Sequence, residues 1–96
     1  MLDKIGPFCV ISAKANLLTK TTEIIEYGFH VDIDKENITT AVFYINTCNG
    51  YTLFRDGTKV QSKANRLVIF DSQLEHTGSS CTDAPTRVVI NLNYFK

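Results

Sequence analysis

The sequence lacks a charge excess of either sign. Its ten basic and ten acidic residues give a formal net charge of zero, so there is no overall positive field of the kind that drives sequence-independent binding to nucleic acids. It also lacks an apolar run long enough to span a bilayer, and its first residues have neither the basic nor the apolar segment of a secretory signal. We therefore expect a cytoplasmic protein without a membrane or nucleic-acid partner.

Cysteine is scarce. Cys9, Cys48 and Cys81 are odd in number and widely spaced, which fits neither a disulfide framework nor a Cys-x-x-Cys metal site. We expect reduced thiols that behave as small, buried or half-buried hydrophobic residues.

Helical periodicity and internal repeats are absent, and 96 residues suffice for one hydrophobic core. Segments rich in β-branched and aromatic residues alternate with turn dipeptides such as Asn49-Gly50 and Asp56-Gly57. About eight strands are predicted, near residues 8–18, 23–31, 39–46, 51–54, 58–62, 66–71, 75–80 and 86–95. The pattern predicts one all-β domain over residues 1–96, a sandwich or barrel of which the jelly roll is one form.

Only two histidines are present, and the first lies two residues before an aspartate. On a strand, this spacing directs the side chains of His30 and Asp32 to the same face. With His76 from a distant strand, they could form a two-histidine, one-carboxylate site for a divalent metal, which leaves coordination positions open. Each part alone is weak evidence, because an exposed histidine beside an aspartate is usually a solvated pair.

Arg87 opens the apolar strand Val88-Val89-Ile90. An unpaired guanidinium is costly to bury there unless a carboxylate meets it. Taken alone, Arg87 is more simply interpreted as a surface cation at a strand end. Together with the three candidate metal ligands, it favours a site that binds a carboxylate next to a metal.

The order of these residues resembles the prolyl-4-hydroxylase-like branch of the Fe(II)- and 2-oxoglutarate-dependent dioxygenases. A histidine follows the His-x-Asp pair after 44 residues and an arginine follows after eleven more, and the similarity runs from about Lys14 to Phe95. A tyrosine, Tyr27, stands three residues before the first histidine. The family pattern T-x-x-x-Y-L-N is matched by residues 40–46, and a Gly-rich turn followed by T-x-F is matched by residues 50–54.

This resemblance implies a fold and a function. The fold is an all-β double-stranded β-helix, a cupin-like jelly roll of about eight strands, here without the usual N-terminal helices. His30, Asp32 and His76 would be the catalytic ligands of Fe(II), while Arg87 and Tyr44 would bind the distal carboxylate of 2-oxoglutarate. The enzyme would oxidise a C–H bond of an unidentified peptide or small-molecule substrate while 2-oxoglutarate is converted to succinate and CO₂.

The chain departs from the family pattern in several places. Val89 stands where some branches have a serine, and strict alternation places Tyr27 on the opposite face from His30 unless the strand is bulged. Residues before Lys14 could not form the N-terminal helices of relatives, so we expect a stripped core or a fragment. Lys14 and Asn16 lie on one face of the first strand and could contact substrate, although solvated polar positions are an equally good interpretation.

Two alternatives stay open. One is a cupin-like metal-binding protein, or a dioxygenase that uses the same triad without 2-oxoglutarate; Arg87 and Tyr44 discriminate against it. The other is a non-catalytic β-sandwich module, in which the two histidines and Asp32 are surface residues.

Alternation along the last strand predicts two different faces. If Arg87 faces the site, then Val89, Asn91 and Asn93 face the same way. The opposite faces of this strand and of the strand of Tyr44 are then apolar rows: Val88, Ile90, Leu92 and Tyr94, with Ala41, Phe43 and Ile45. Large exposed apolar patches are uncommon on soluble monomers. The pattern therefore predicts a two-fold homodimer, or else a chain cut from a longer protein.

Overall fold

The computed structural model describes residues 10–31 and 33–95. Within these ranges the chain forms seven strands and no helix long and apolar enough to cross a membrane. The strands are β1 (Val10–Thr19), β2 (Ile38–Tyr44), β3 (Tyr51–Phe54), β4 (Lys59–Gln61), β5 (Leu67–Asp71), β6 (His76–Gly78) and β7 (Thr86–Phe95).

The strands form two antiparallel sheets. One has the order β1-β7-β2-β5, and the other has the order β4-β3-β6. Residues Val42, Tyr44 and Val89 of the larger sheet form a buried cluster, and Val60 of the smaller sheet packs against it. The predicted meander through the middle of the chain is wrong. Only β3 and β4 pair as consecutive strands there, across a turn at Gly57, whose φ is 97°, whereas β2 and β3 lie in different sheets, as do β4 and β5.

The predicted inner and outer faces of the larger sheet are also confirmed. In the register of β2 with β7, Val42 lies opposite Asn91 and Tyr44 lies opposite Val89, and Val42, Val89 and Asn91 line the space between the sheets. The outer face is only partly exposed. Ala41, Leu92 and Tyr94 form a buried cluster with Leu67 and Ile90 packed against it, whereas Leu17 and Ile69 are 62% and 50% exposed.

The predicted strand 23–31 is wrong as a continuous strand. Two isolated bridges replace it, Glu26 with Ser79 and His30 with His76. His30 is four positions from Glu26, but their partners His76 and Ser79 are only three positions apart, so this segment carries one extra residue. Gly28 lies within it with a φ of 103°, a conformation that a strand does not use. This local irregularity breaks the ladder.

The cysteines agree with the sequence interpretation where they are described. Cys48 and Cys81 are buried free thiols, and Cys9 lies outside the described residues. Burial raises the pKa of the Cys81 thiol, and the neighbouring Cys48 thiol adds to the shift. Both cysteines therefore contribute to the core as small buried side chains.

Candidate metal and co-substrate site

A cavity of about 270 Å³, hereafter the inner cavity, lies between the two sheets. It is lined by side chains of both sheets and of the segment before β2: Asn16, Leu18, Tyr27, His30, Val42, Thr52, His76, Gly78, Arg87, Val89 and Asn91. This set contains one permanent cation and no carboxylate. The described lining of the inner cavity is therefore suited to an anionic ligand.

Both histidines line this cavity and lie directly opposite each other. The backbone N–H of His30 donates to the carbonyl of His76 at 2.9 Å, and the reverse bond measures 3.0 Å. Their ring centroids are 4.6 Å apart. The structure thus brings together two side chains that are 46 positions apart in the sequence.

Each imidazole is oriented by its own backbone. His30 Nδ1 is 3.2 Å from the carbonyl oxygen of Gly28, and His76 Nδ1 is 3.0 Å from that of Leu74. A carbonyl can only accept a hydrogen bond, so Nδ1 carries the proton in both rings. The lone pair is then on Nε2, the arrangement that metal-binding histidines use when the other nitrogen donates to a carbonyl.

The two histidines differ in their surroundings. His76 is 3% exposed and packs edge-on against the ring of Phe70, with centroids 4.8 Å apart, and beside Phe54 at 6.2 Å. These aromatic contacts fix its ring. His30 is exposed and reaches the same cavity from the segment that contains the extra residue.

Tyr27 also lines the inner cavity, and its side chain is 55% exposed. Strict alternation would separate it from His30, but the extra residue at Gly28 lets both face the same space. The sequence pattern allowed Tyr27 and His30 to face the same side only if this segment carried a bulge, and the bulge is present.

Asp32 lies outside the described residues. Among the residues that are described, no group of three side chains could hold a metal ion. The placement of Asp32 beside His30 therefore stays a prediction, and so does the complete triad of His30, Asp32 and His76.

Arg87 extends from β7 into the inner cavity and is only 3% exposed. Its Nε donates to the hydroxyl of Ser62 at 2.7 Å, and its guanidinium carbon lies 5.7 Å from the ring centroid of Tyr44. Burial lowers the pKa of Arg87, because it penalises the charged form, although a guanidinium stays ionised in proteins. No carboxylate of the described chain pairs with it.

Two residues that hold Arg87, Gly50 and Ser62, were not predicted as site residues. A Cβ on Gly50 would lie 2.5 Å from Arg87 Cδ and 2.9 Å from the carbonyl oxygen of Ser80, so Gly50 is required for close packing. Ser62 is fixed in turn, because its N–H donates to the carbonyl of Gly50 at 2.9 Å. The sequence marked Gly50 as a turn residue, and nothing marked Ser62.

Tyr44 is fully buried, and its hydroxyl donates to Thr52 Oγ1 at 2.7 Å. Burial raises the pKa of Tyr44, so the phenol stays neutral. Thr52 lines the inner cavity, whereas Tyr44 lies behind it. A direct contact of Tyr44 with the co-substrate stays a prediction. Thr52, which the sequence showed only within the T-x-F motif, places a hydroxyl at the cavity wall.

Comparisons with known proteins agree with this architecture. The sequence model of the 2OG-Fe(II) oxygenase superfamily matches residues 18–95, and no curated protein sequence matches the chain. The structure is similar to a cupin protein from Bacteroides fragilis, with a TM-score of 0.65 at 11% identity, covering 86% of this chain and 64% of that one.

Two further solved structures are similar. A Pseudomonas putida prolyl-4-hydroxylase has a TM-score of 0.58 at 20% identity, over 88% of this chain and 51% of that one. A cupin domain from Bordetella pertussis has a TM-score of 0.55 at 12% identity, over 94% and 93%. At these identities the likenesses show the fold, a cupin-type jelly roll, and the chain spans about half the length of the hydroxylase.

Proposed function

Because the chain belongs to the 2OG-Fe(II) oxygenase superfamily, we propose that it binds Fe(II) and 2-oxoglutarate and hydroxylates an unidentified substrate. When bound, Fe(II) and 2-oxoglutarate supply the oxidation of a substrate C–H bond by O₂, with release of succinate and CO₂. The residues of the chain hold and orient these reactants.

The observation that carries the proposal is the environment of Arg87. Its guanidinium is buried at the wall of a cavity that has no described acidic residue, and its hydrogen bond to Ser62 uses Nε alone. The terminal nitrogens are the pair that binds a carboxylate in bidentate fashion. A dicarboxylate such as 2-oxoglutarate supplies the counter-charge, which makes burial of this cation favourable.

Thr52 would assist Arg87. Its hydroxyl accepts a hydrogen bond from Tyr44, so its own proton can be donated into the cavity. The apolar side chains of Val42 and Val89 line the same space. They exclude water and so strengthen the attraction between the cation and a bound carboxylate.

The metal would bind at His30 and His76, with Asp32 as the third ligand. The support for this site is the facing pair of imidazoles, each with Nδ1 bonded to a backbone carbonyl. Nitrogen and carboxylate ligands in this number suit Fe(II) and leave positions open for other ligands.

A cupin-like metal protein without 2-oxoglutarate would have the same fold, and cupins are among the similar structures. The buried Arg87 argues against it, since without an acidic ligand none of the described residues would supply a counter-charge for this cation. Dependence of turnover on 2-oxoglutarate separates the two functions.

The first experiment is a metal titration with Ni(II) or Zn(II) as a stable substitute for Fe(II), with elemental analysis of the product. We expect one ion per chain in the wild type and none in Asp32→Ala. Asp34→Ala is the matched control, because Asp34 is an exposed carboxylate two residues away that bonds Gln73. A site that survives removal of both histidines would contradict the proposal.

The second experiment measures succinate formation with Fe(II) under air. We expect a low background rate without substrate, dependent on 2-oxoglutarate, and stimulation by a true substrate in a screen. Turnover of substrate in the absence of 2-oxoglutarate would favour the cupin-like alternative.

A further inference from the structure

A second cavity of about 300 Å³ adjoins the inner cavity and is hereafter the outer groove. Its lining is entirely polar in the described chain: Ser12, Lys14, Asn16, His30, Asn91 and Asn93. Asn16, His30 and Asn91 line both spaces. The outer groove thus continues the inner cavity past His30, on the side away from Arg87.

The register of β1 with β7 sets the spacing of the polar groups. Lys14 lies directly opposite Asn91, and Ser12 lies opposite Asn93. Directly opposed side chains of antiparallel strands have Cβ atoms about 5 Å apart. A cation and an amide at this separation can contact neighbouring groups of one small molecule.

Two of these groups have no partner within the described chain. The Oδ1 atom of Asn91 is buried without a hydrogen bond, which costs stability unless a donor reaches it. Lys14 is exposed, and no described carboxylate pairs with it. By contrast, Asn93 is already bonded to Thr40 and Ser12.

We propose that the outer groove binds the oxidisable substrate and that this substrate is of the amino-acid type, with a free carboxylate on Lys14 and an N–H on Asn91. This assignment rests on the proposed function. Lys14 is the one permanent cation of the groove lining and no described acidic residue opposes it. Asn91 Oδ1 requires a donor, which an amide N–H next to a carboxylate supplies.

The position of His30 between the two spaces supports this assignment. It lines both spaces, so a metal held there would meet a co-substrate from the side of Arg87 and a substrate from the side of Lys14. A substrate bound in the outer groove would therefore not compete with a carboxylate bound to Arg87.

The test uses protein loaded with Zn(II) and 2-oxoglutarate, titrated with N-acetyl-L-amino acids and their matched primary amides. Binding is followed by NMR of the side-chain amide groups of Asn16 and Asn91. We expect the acids to shift these signals and the neutral amides to bind about tenfold more weakly, because one charge-assisted contact is lost.

Variants test the role of Lys14. Lys14→Gln should weaken binding of the acids about tenfold, leave the amides unchanged and leave the affinity for 2-oxoglutarate unchanged, whereas Lys14→Arg should restore binding of the acids. The control is Lys20→Gln, an exposed lysine just beyond β1.

The outcomes separate the two proposals. If 2-oxoglutarate binds normally but acids and amides bind equally or not at all, the assignment of the outer groove is overturned and the proposed function stands. If neither metal nor 2-oxoglutarate binds, the proposed function is overturned, and the substrate assignment falls with it.

Discussion

Replacement of Arg87 by methionine separates a structural arginine from one that binds a ligand. Arg87 is 3% exposed, and within the described chain its guanidinium makes one hydrogen bond, to Ser62. Methionine keeps most of the length and volume of the side chain, so Arg87→Met removes the charge without creating a large cavity.

We expect Arg87→Met to have a small effect on the stability of the protein and a large effect on its affinity for 2-oxoglutarate. Loss of the bond to Ser62 costs about 1 kcal/mol, and removal of a buried cation without a carboxylate partner offsets this cost. We expect the free energy of unfolding of the ligand-free protein to change by less than about 1 kcal/mol, which is a shift of at most about 4–8 °C in melting temperature for a domain of this size.

The affinity for 2-oxoglutarate should fall much further. Removal of one partner of a buried, hydrogen-bonded charge pair costs about 2–5 kcal/mol, which corresponds to a loss of about 30-fold to more than 1,000-fold. Metal affinity should be unchanged, because the described hydrogen bond of Arg87 goes to Ser62 and not to a candidate metal ligand.

Calorimetric titration of the metal-loaded protein with 2-oxoglutarate, in the absence of O₂, measures the affinity, and thermal unfolding by circular dichroism measures stability. A variant that unfolds well below the wild type and still binds 2-oxoglutarate normally would refute the reasoning. Arg87 would then be a structural residue, and the cupin-like alternative would gain support.

Two further predictions follow from the packing. Gly50→Ala should weaken 2-oxoglutarate binding at least tenfold, because the new Cβ would lie 2.5 Å from Arg87 Cδ and displace it; Gly57→Ala should cost about 1 kcal/mol of stability through its positive φ but leave affinity intact, since nothing lies within 4 Å. Equal loss of affinity in both variants would contradict this role. The homodimer also stays a prediction: sedimentation at micromolar concentration should show a dimer that the double variant Leu17→Lys, Ile69→Lys dissociates, and a wild-type monomer would exclude it.

Alternation explains why the sequence predicts the larger sheet well. A strand with one face toward the core has a strict period of two, so placing Arg87 inward also fixes Val89 and Asn91 inward and Leu92 outward. The register of β2 with β7 agrees for Val89, Asn91 and Leu92, and Arg87 lines the inner cavity together with Val89 and Asn91. The burial of Leu92 and Tyr94 on the outer face could not be read from this pattern, because alternation gives direction and not coverage.

The segment before β2 shows where the pattern fails. A period of two predicts a continuous strand over residues 23–31, but one extra residue around Gly28 shifts the register between the two bridges. Gly28 alone does not reveal this, since glycine also occurs in regular strands. The bulge is needed to place Tyr27 and His30 on one side. The family resemblance called for this arrangement, whereas the local sequence pattern did not predict it.

The supports of Arg87 depend on close approach between sheets. Gly50 leaves space for the side chain of Arg87, and the hydroxyl of Ser62 accepts a hydrogen bond from Arg87 Nε. Neither residue is adjacent to Arg87 in sequence: Gly50 belongs to a predicted turn dipeptide, and Ser62 directly follows β4. Such contacts follow from the packing of two sheets, so local pattern could predict the arginine but not the residues that hold it.

The inner row of β7 accounts for much of the proposed function. Arg87 lines the inner cavity, Asn91 lines both spaces, and Asn93 lines the outer groove alone. Since a strand rises about 3.4 Å per residue, Arg87 and Asn91 are about 14 Å apart along the strand. A co-substrate on Arg87 and a substrate on Asn91 would therefore approach His30 from opposite directions along one row. The alternation that buries one face of the sheet would thus also set the positions of the two proposed ligands along β7.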